Sequence, residues 1–289
     1  MSSMTAPAPR LSAWALAPWT DRAGRLSALK LVVFLAVLAP GVWTAALWLG
    51  DGLGPKPLTE AIHLTGDWAV RLLAATLAVT PLRVVTRYNR LILVRRMLGL
   101  ATLAYATIHV ALYCVQQDGE FARIAAEIAL RFYLTIGFVA FAMLLALGVT
   151  SNDAAVRRLG AARWNALHRL VYVIAGLALF HYFLQTKNDV TPAVLWAGLI
   201  LMLLMHRLLA RRGAGRSPLA LAGLAIGAGL VAALVEAGWY FGRSRLSPLD
   251  VLAGNLDFDF EIRPPWIVAA VALALPLLAL AARRFERAR

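Results

Sequence analysis

Residues 168–181 read HRLVYVIAGLALFH, and the architecture turns on how this run is understood. An imidazole stands at each end of a segment that only Arg169 interrupts. With its flanks the run extends over about 164–185, long enough to cross a hydrocarbon core of about 30 Å as a helix. The same test finds seven more segments, at about 29–49, 64–82, 97–116, 132–149, 192–210, 218–240 and 265–282. The chain is 61% hydrophobic, only 15% charged, and has a mean hydropathy of +0.71. A soluble domain is about half apolar, so these runs are membrane spans rather than a large core. Backbone groups in lipid must be satisfied within their own segment, which makes helices the expected form. The ten-residue alternating strands of a barrel are not evident. The expected class is an all-α integral membrane protein with about eight transmembrane helices.

The net charge of +14 would suit nucleic acid, but its distribution does not. Twenty of the 29 basic residues fall in five clusters between or beside the spans: Arg10 to Lys30, Arg83 to Arg96, Arg157 to Arg163, Arg207 to Arg216, and Arg283 to Arg289. The intervening segments hold most of the acids, among them Asp51, Glu60, Asp118, Glu120, Asp189, Asp257 and Glu261. By the positive-inside rule the arginine-rich set faces the cytoplasm, with both termini. The expected partner is the lipid bilayer, not nucleic acid. Cys114 is the single cysteine, which excludes internal disulfides, thiolate metal centres and covalent heme attachment through CxxCH. Residues 1–28, rich in Pro and Ala, have no good signal-peptide core and are expected to form a flexible cytoplasmic lead-in. Residues 29–210 hold six spans, and 211–289 add a C-terminal helix pair behind the linker RRGAGRSPL. The string AGLAIGAGL in the seventh span could allow close helix contact, though Ala and Gly are common throughout.

Ionisable residues inside lipid are costly and mark function by default. The chain has five histidines: His63, His109, His168, His181 and His206. His109 lies about 18 Å from the arginine-rich end of the third span, and His181 about 20 Å beyond His168 on the fifth. Both spans run in the same direction, so His109 and His181 share a depth. Two neutral imidazoles facing one iron from opposite sides would be so arranged. The alternative is that each imidazole merely bonds a backbone carbonyl. His168 lies at the interface, where water can also solvate it. On an ideal helix, 13 residues leave His168 and His181 roughly 140° apart, so they do not share a face. His63 and His206 are expected to be non-ligands. Arg95, Arg96 and Arg169 stand at the level of His168 and could pair with carboxylates, or simply snorkel. No P-loop, GxSxG, HExxH or GxGxxG stands in a suitable context, and Glu236 is nearly alone as a membrane carboxylate.

The stretches IHLTGDWAVRLLAATLAVTPLR, RRMLGLATLAYATIHVALY, RFYLTIGFVAFAMLLALGVTS and LGAARWNALHRLVYVIAGLALFHYFLQTK resemble the MsrQ (YedZ) family. This family is the heme-binding membrane subunit of the bacterial periplasmic methionine-sulfoxide reductase system, within the ferric-reductase-like transmembrane superfamily. The resemblance covers about residues 29–210. It implies a six-helix heme-binding bundle, with His109, His181 and His168 as heme-associated histidines and Arg95, Arg96 and Arg169 near the cofactor. It implies one heme b, or two, and FMN, for which no residue can be named. It also implies electron transfer across the inner membrane, from the quinone pool or a cytoplasmic flavin reductase to the periplasmic molybdopterin enzyme MsrP, which would carry the sulfoxide chemistry. Where the wider group often has a histidine, this chain has Arg95, so the partner of His168 is open. A ferric or quinone reductase of the same superfamily, and a heme-free transporter or assembly scaffold, remain as alternatives.

Overall fold

The computed structural model describes residues 17–21, 23–186, 189–259 and 261–287. Most of the expected lead-in, residues 1–16, lies outside these. Thr20 and Leu26 pair as an isolated antiparallel bridge, and the Lys30 ammonium donates to the Thr20 carbonyl. Among the described residues there is no strand; the helices are α1 (Ala28–Leu49), α2 (Pro57–Thr86), α3 (Ile92–Gln116), α4 (Phe121–Leu130), α5 (Phe132–Val149), α6 (Asp153–His168), α7 (Leu170–Gln185), α8 (Thr191–Arg211), α9 (Pro218–Ser244), α10 (Pro248–Gly254), α11 (Pro264–Ala272) and α12 (Ala274–Arg287). Eight spans, each long and apolar enough to cross a membrane, result among the described residues.

Most breaks have local causes. Pro57, Pro218, Pro248 and Pro264 each open a helix, where a missing N–H costs nothing. Within the fifth span Gly160 adopts φ 74° and ψ 154°, which separates a short surface stretch of α6 from the apolar part. In the eighth, the break after Ala272 falls four residues before Pro276, which cannot supply the next ladder bond. Helix α2 is longer than the apolar pattern indicates, starting at Pro57 rather than 64.

Helices α2 and α3 form a closely packed hairpin, α5 packs on α7, and α9 packs on α8, α10 and α11. The deepest side chains, Leu77, Ile174, Ile200, Leu221, Val194 and Val268, come from α2, α7, α8, α9 and α11. The C-terminal helices therefore share one core with the first six spans. Large apolar residues such as Trp43, Leu219, Ile226, Leu230 and Leu234 face outward, as a lipid-facing rim requires. Contact among α8, α9 and α11 relies on small residues. A Cβ on Gly198 would lie 2.8 Å from Val268 and 3.0 Å from Ala232, and one on Gly229 would lie 2.9 Å from the Pro265 carbonyl. Of the glycines in AGLAIGAGL, only Gly229 is used in this way.

Several polar groups inside the bundle find partners, though His206 Nδ1 and Asn255 Oδ1 are buried without one. Pro81 leaves the Leu77 carbonyl of α2 without its ladder donor, and the Arg207 guanidinium of α8 supplies one at 2.7 Å. Glu236 of α9 is 3% exposed and accepts from Asn255 Nδ2 at 2.9 Å. His206, fully buried, reaches the Gly215 carbonyl at 3.1 Å and lies away from the other histidines.

Candidate functional site

The imidazoles of His109 on α3 and His181 on α7 meet inside the bundle. Their ring centroids are 6.5 Å apart and the rings nearly perpendicular, at 86°. His109 Nδ1 lies 2.8 Å from the Ile62 carbonyl of α2. His181 Nδ1 lies 2.8 Å from the Tyr133 carbonyl of α5. A carbonyl only accepts, so each Nδ1 carries the proton and each Nε2 keeps its lone pair. Among the described residues no hydrogen bond reaches either Nε2. One nitrogen of each ring is thus oriented by main chain and the other is left to coordinate, the arrangement usual for histidine ligands.

Two glycines make this possible. Gly66 stands one helical turn after Ile62, and Gly137 one turn after Tyr133. A Cβ on Gly66 would lie 3.0 Å from His109 Nδ1; one on Gly137 would lie 2.8 Å from His181 Nδ1. Only a bare backbone lets a ring press against the helix and reach the carbonyl four residues earlier. The device recurs a third time. The Tyr105 hydroxyl donates to the Val37 carbonyl at 2.8 Å, and a Cβ on Gly41, four residues on, would lie 3.0 Å from that hydroxyl oxygen. On α2, Asp67 holds Arg71 at 3.5 Å. Arg71 is further engaged over the Trp68 ring at 4.7 Å.

Two metal–imidazole bonds of about 2.0 Å, each with about 1.1 Å from nitrogen to ring centre, would put two imidazole centroids facing one ion about 6.2 Å apart. The observed 6.5 Å fits one metal ion held between the rings. No group of three or more His, Cys, Asp and Glu gathers among the described residues, so protein alone does not complete a metal shell here. The pair suits a metal whose remaining positions a macrocycle fills.

His168 is placed differently. Its Nε2 lies 3.2 Å from Thr150 Oγ1, whose own proton goes to the Ala146 carbonyl at 2.7 Å. His168 Nε2 therefore donates, and the lone pair is on Nδ1, the reverse of the other two rings. Trp164 stacks on the imidazole at 3.7 Å between centroids and donates to the Thr150 carbonyl. A cleft of about 360 Å³ opens here, lined by Arg95, Trp164, Asn165, His168, Arg169 and Tyr172. Arg96 is turned away and pairs with Asp153 at 2.8 Å. Of the residues expected near a cofactor, the structure joins His109 with His181, and separately His168 with Arg95 and Arg169. His63 is exposed. Ile62, Gly66, Tyr133 and Gly137 were not legible as site residues, and the only sequence signal is a glycine within an apolar helix.

A family model described as "Ferric reductase like transmembrane component" matches residues 65–179, which include His109 and His168 and end two residues short of His181. The heme-binding subunit MsrQ of protein-methionine-sulfoxide reductase from Rhodospirillum rubrum is 39% identical over 202 residues, 68% of this chain and 95% of that protein. The chain belongs to the MsrQ family. The MsrQ proteins of Polaromonas naphthalenivorans and Ralstonia nicotianae are 40% and 41% identical, each over 62% of this chain and 84% of their own length. No solved structure matches significantly. About a third of this chain thus lies beyond what these MsrQ relatives match, although the fold packs the C-terminal helices into the same core.

Proposed function

We propose that the chain is the heme b electron-transfer subunit of a protein-methionine-sulfoxide reductase system. The observation that carries the reading is the His109–His181 pair, 6.5 Å apart with each Nδ1 held by a main-chain carbonyl. These two residues would hold the iron; the heme, when bound, supplies one-electron chemistry. The chain's part is to fix both rings in one tautomer, to exclude water with the apolar walls of α2, α3, α5 and α7, and to set the charge around the site.

Orientation follows from the arginines. The end bearing Arg83, Arg95, Arg158, Arg212 and Arg284 is taken as cytoplasmic, so the protein sits in the inner membrane with both termini inside. The His109–His181 pair then lies in the outer half, toward a periplasmic acceptor, the molybdopterin-dependent sulfoxide reductase. The cleft of His168, Arg95 and Arg169 faces the cytoplasm and is proposed as the entry point, fed by the quinone pool or a flavin reductase, and as the place for a second heme. Its cations suit propionates or another planar anion. There, ligation would use His168 Nδ1 or require the Thr150 bond to break.

The test is spectroscopic. Purified chain should show a b-type reduced spectrum that His109→Ala and His181→Ala each abolish or shift. Full, unshifted spectra in both variants would refute the assignment. Pyridine hemochrome analysis of His168→Ala counts the second group: a loss of one heme supports it, and one heme per chain with unchanged spectra removes it.

A further inference from the structure

At the arginine-rich end, away from both histidine sites, a cleft of about 550 Å³ opens between the two parts of the chain. Arg83, Val84 and Arg87 from the end of α2, Asn89 from the following turn, and Arg216 from the linker before α9 line it. Two of its three guanidiniums share one carboxylate. Glu286 of α12 pairs with Arg216 at 2.7 Å and with Arg87 at 3.2 Å. Arg83 is half-buried and has no hydrogen-bond or ion-pair partner among the described residues. Arg216 Nε is buried with no acceptor. An unmatched guanidinium and an orphaned N–H on the wall of one cleft are an unusual pairing, because buried donors are almost always satisfied.

We propose that this cleft binds a phosphate group, with the headgroup of an anionic phospholipid as its natural source. Guanidinium forks match phosphate oxygens bidentately, and the Asn89 amide offers a neutral donor. The cleft lies where α2 and α12 leave the apolar zone, the level of lipid phosphates, and basic pockets between helices on this side suit such headgroups. The C-terminal helices thereby acquire a role in the site. The core supplies Arg83 and Arg87, and the extension supplies Arg216 and the competing Glu286. Lipid binding here does not depend on the heme assignment.

The experiment is native mass spectrometry of delipidated full-length protein in detergent, titrated separately with phosphatidylglycerol, phosphatidylcholine and inorganic phosphate. Phosphatidylglycerol should bind saturably while phosphatidylcholine does not. Arg83→Gln and Arg216→Gln should each weaken binding roughly fivefold or more, at about one surface charge's worth per residue. Glu286→Gln should strengthen it, because Arg87 and Arg216 are released; damage to folding would not give that sign. Arg284→Gln serves as a control and should change nothing. Saturable inorganic phosphate with no lipid preference would keep the site and reassign its source. Binding that ignores all three substitutions, or no saturable binding of either phosphate, would overturn the proposal. The visible spectrum of each variant should match the parent, which separates this outcome from failure of the heme reading.

Discussion

Gly137→Ala tests the site most sharply, because it adds one methyl and removes no polar group. The new Cβ would stand 2.8 Å from both Nδ1 and Cε1 of His181. Ordinary contact begins near 3.4 Å, so the ring must retreat by about 0.6 Å. Retreat along the same line lengthens the 2.8 Å bond to the Tyr133 carbonyl to about 3.4 Å, beyond an effective hydrogen bond. Loss of the group that orients a metal-bound histidine typically costs about 10- to 100-fold in metal affinity. At Gly66 the contacts are 3.0 and 3.1 Å, so about 0.4 Å suffices and the loss should be smaller. At Gly176 nothing lies within 4 Å, and Ala there should be silent. The assay is heme retained per chain after detergent dilution, with the reduced-minus-oxidised spectrum. The expected order of loss is Gly137→Ala, then Gly66→Ala, then Gly176→Ala at parent level. Full retention and an unshifted spectrum in Gly137→Ala would refute the carbonyl-anchored ring as the basis of ligation.

Other substitutions probe the frame. Arg207→Met should lower the thermal midpoint, since the buried Leu77 carbonyl loses its donor at a cost of about 1–3 kcal/mol. Adding Pro81→Ala to that variant should recover part of the loss by restoring an intrahelical donor; a double variant no better than the single would sink the account. Glu236→Gln should be at least as stable as the parent, because a Gln amide can donate to Asn255 Oδ1, which is buried with no partner, while still accepting from Nδ2; a lower melting point would count against it. Asp21 lies outside the spans, and the main-chain N–H of Arg25 leads the groups holding its carboxyl below the ordinary 3.8. A lowered folded-state value means the turn's contribution is intact at neutral pH and fades only as pH falls below that range. The protection of the Ala23 and Arg25 amides, as exchange relative to the intrinsic rate at each pH, should therefore fall in acid, and in Asp21→Ala it should be lost already at neutral pH.

The spans and the shared depth of His109 and His181 were legible because both follow from length: about 20 apolar residues cross a bilayer, and 1.5 Å per residue fixes depth. Rotation about the helix axes was not legible, since neighbours set it. Hence Ile62 and Tyr133 entered the site unannounced: their contribution is a carbonyl, which every residue has. Breaks at Gly160 and Leu273 needed a backbone angle and a proline register rather than hydropathy. Arg96 reads like Arg95 in sequence, yet Asp153 draws it away from the cleft. Glu236 looked alone because its partner Asn255 follows a short helix that the apolar pattern does not show.

The bond between Arg207 and Leu77 has a consequence for the order of assembly. The two residues are 130 positions apart in sequence, and α2 enters the bilayer four spans before α8. Until α8 arrives, the missing N–H of Pro81 leaves an open acceptor within an apolar wall. Until it docks on α2, α8 carries a charge with nowhere to go but the membrane surface. Each helix inserts with a debt that only the other can settle, so neither α2 nor α8 is at rest in the bilayer until the two have docked.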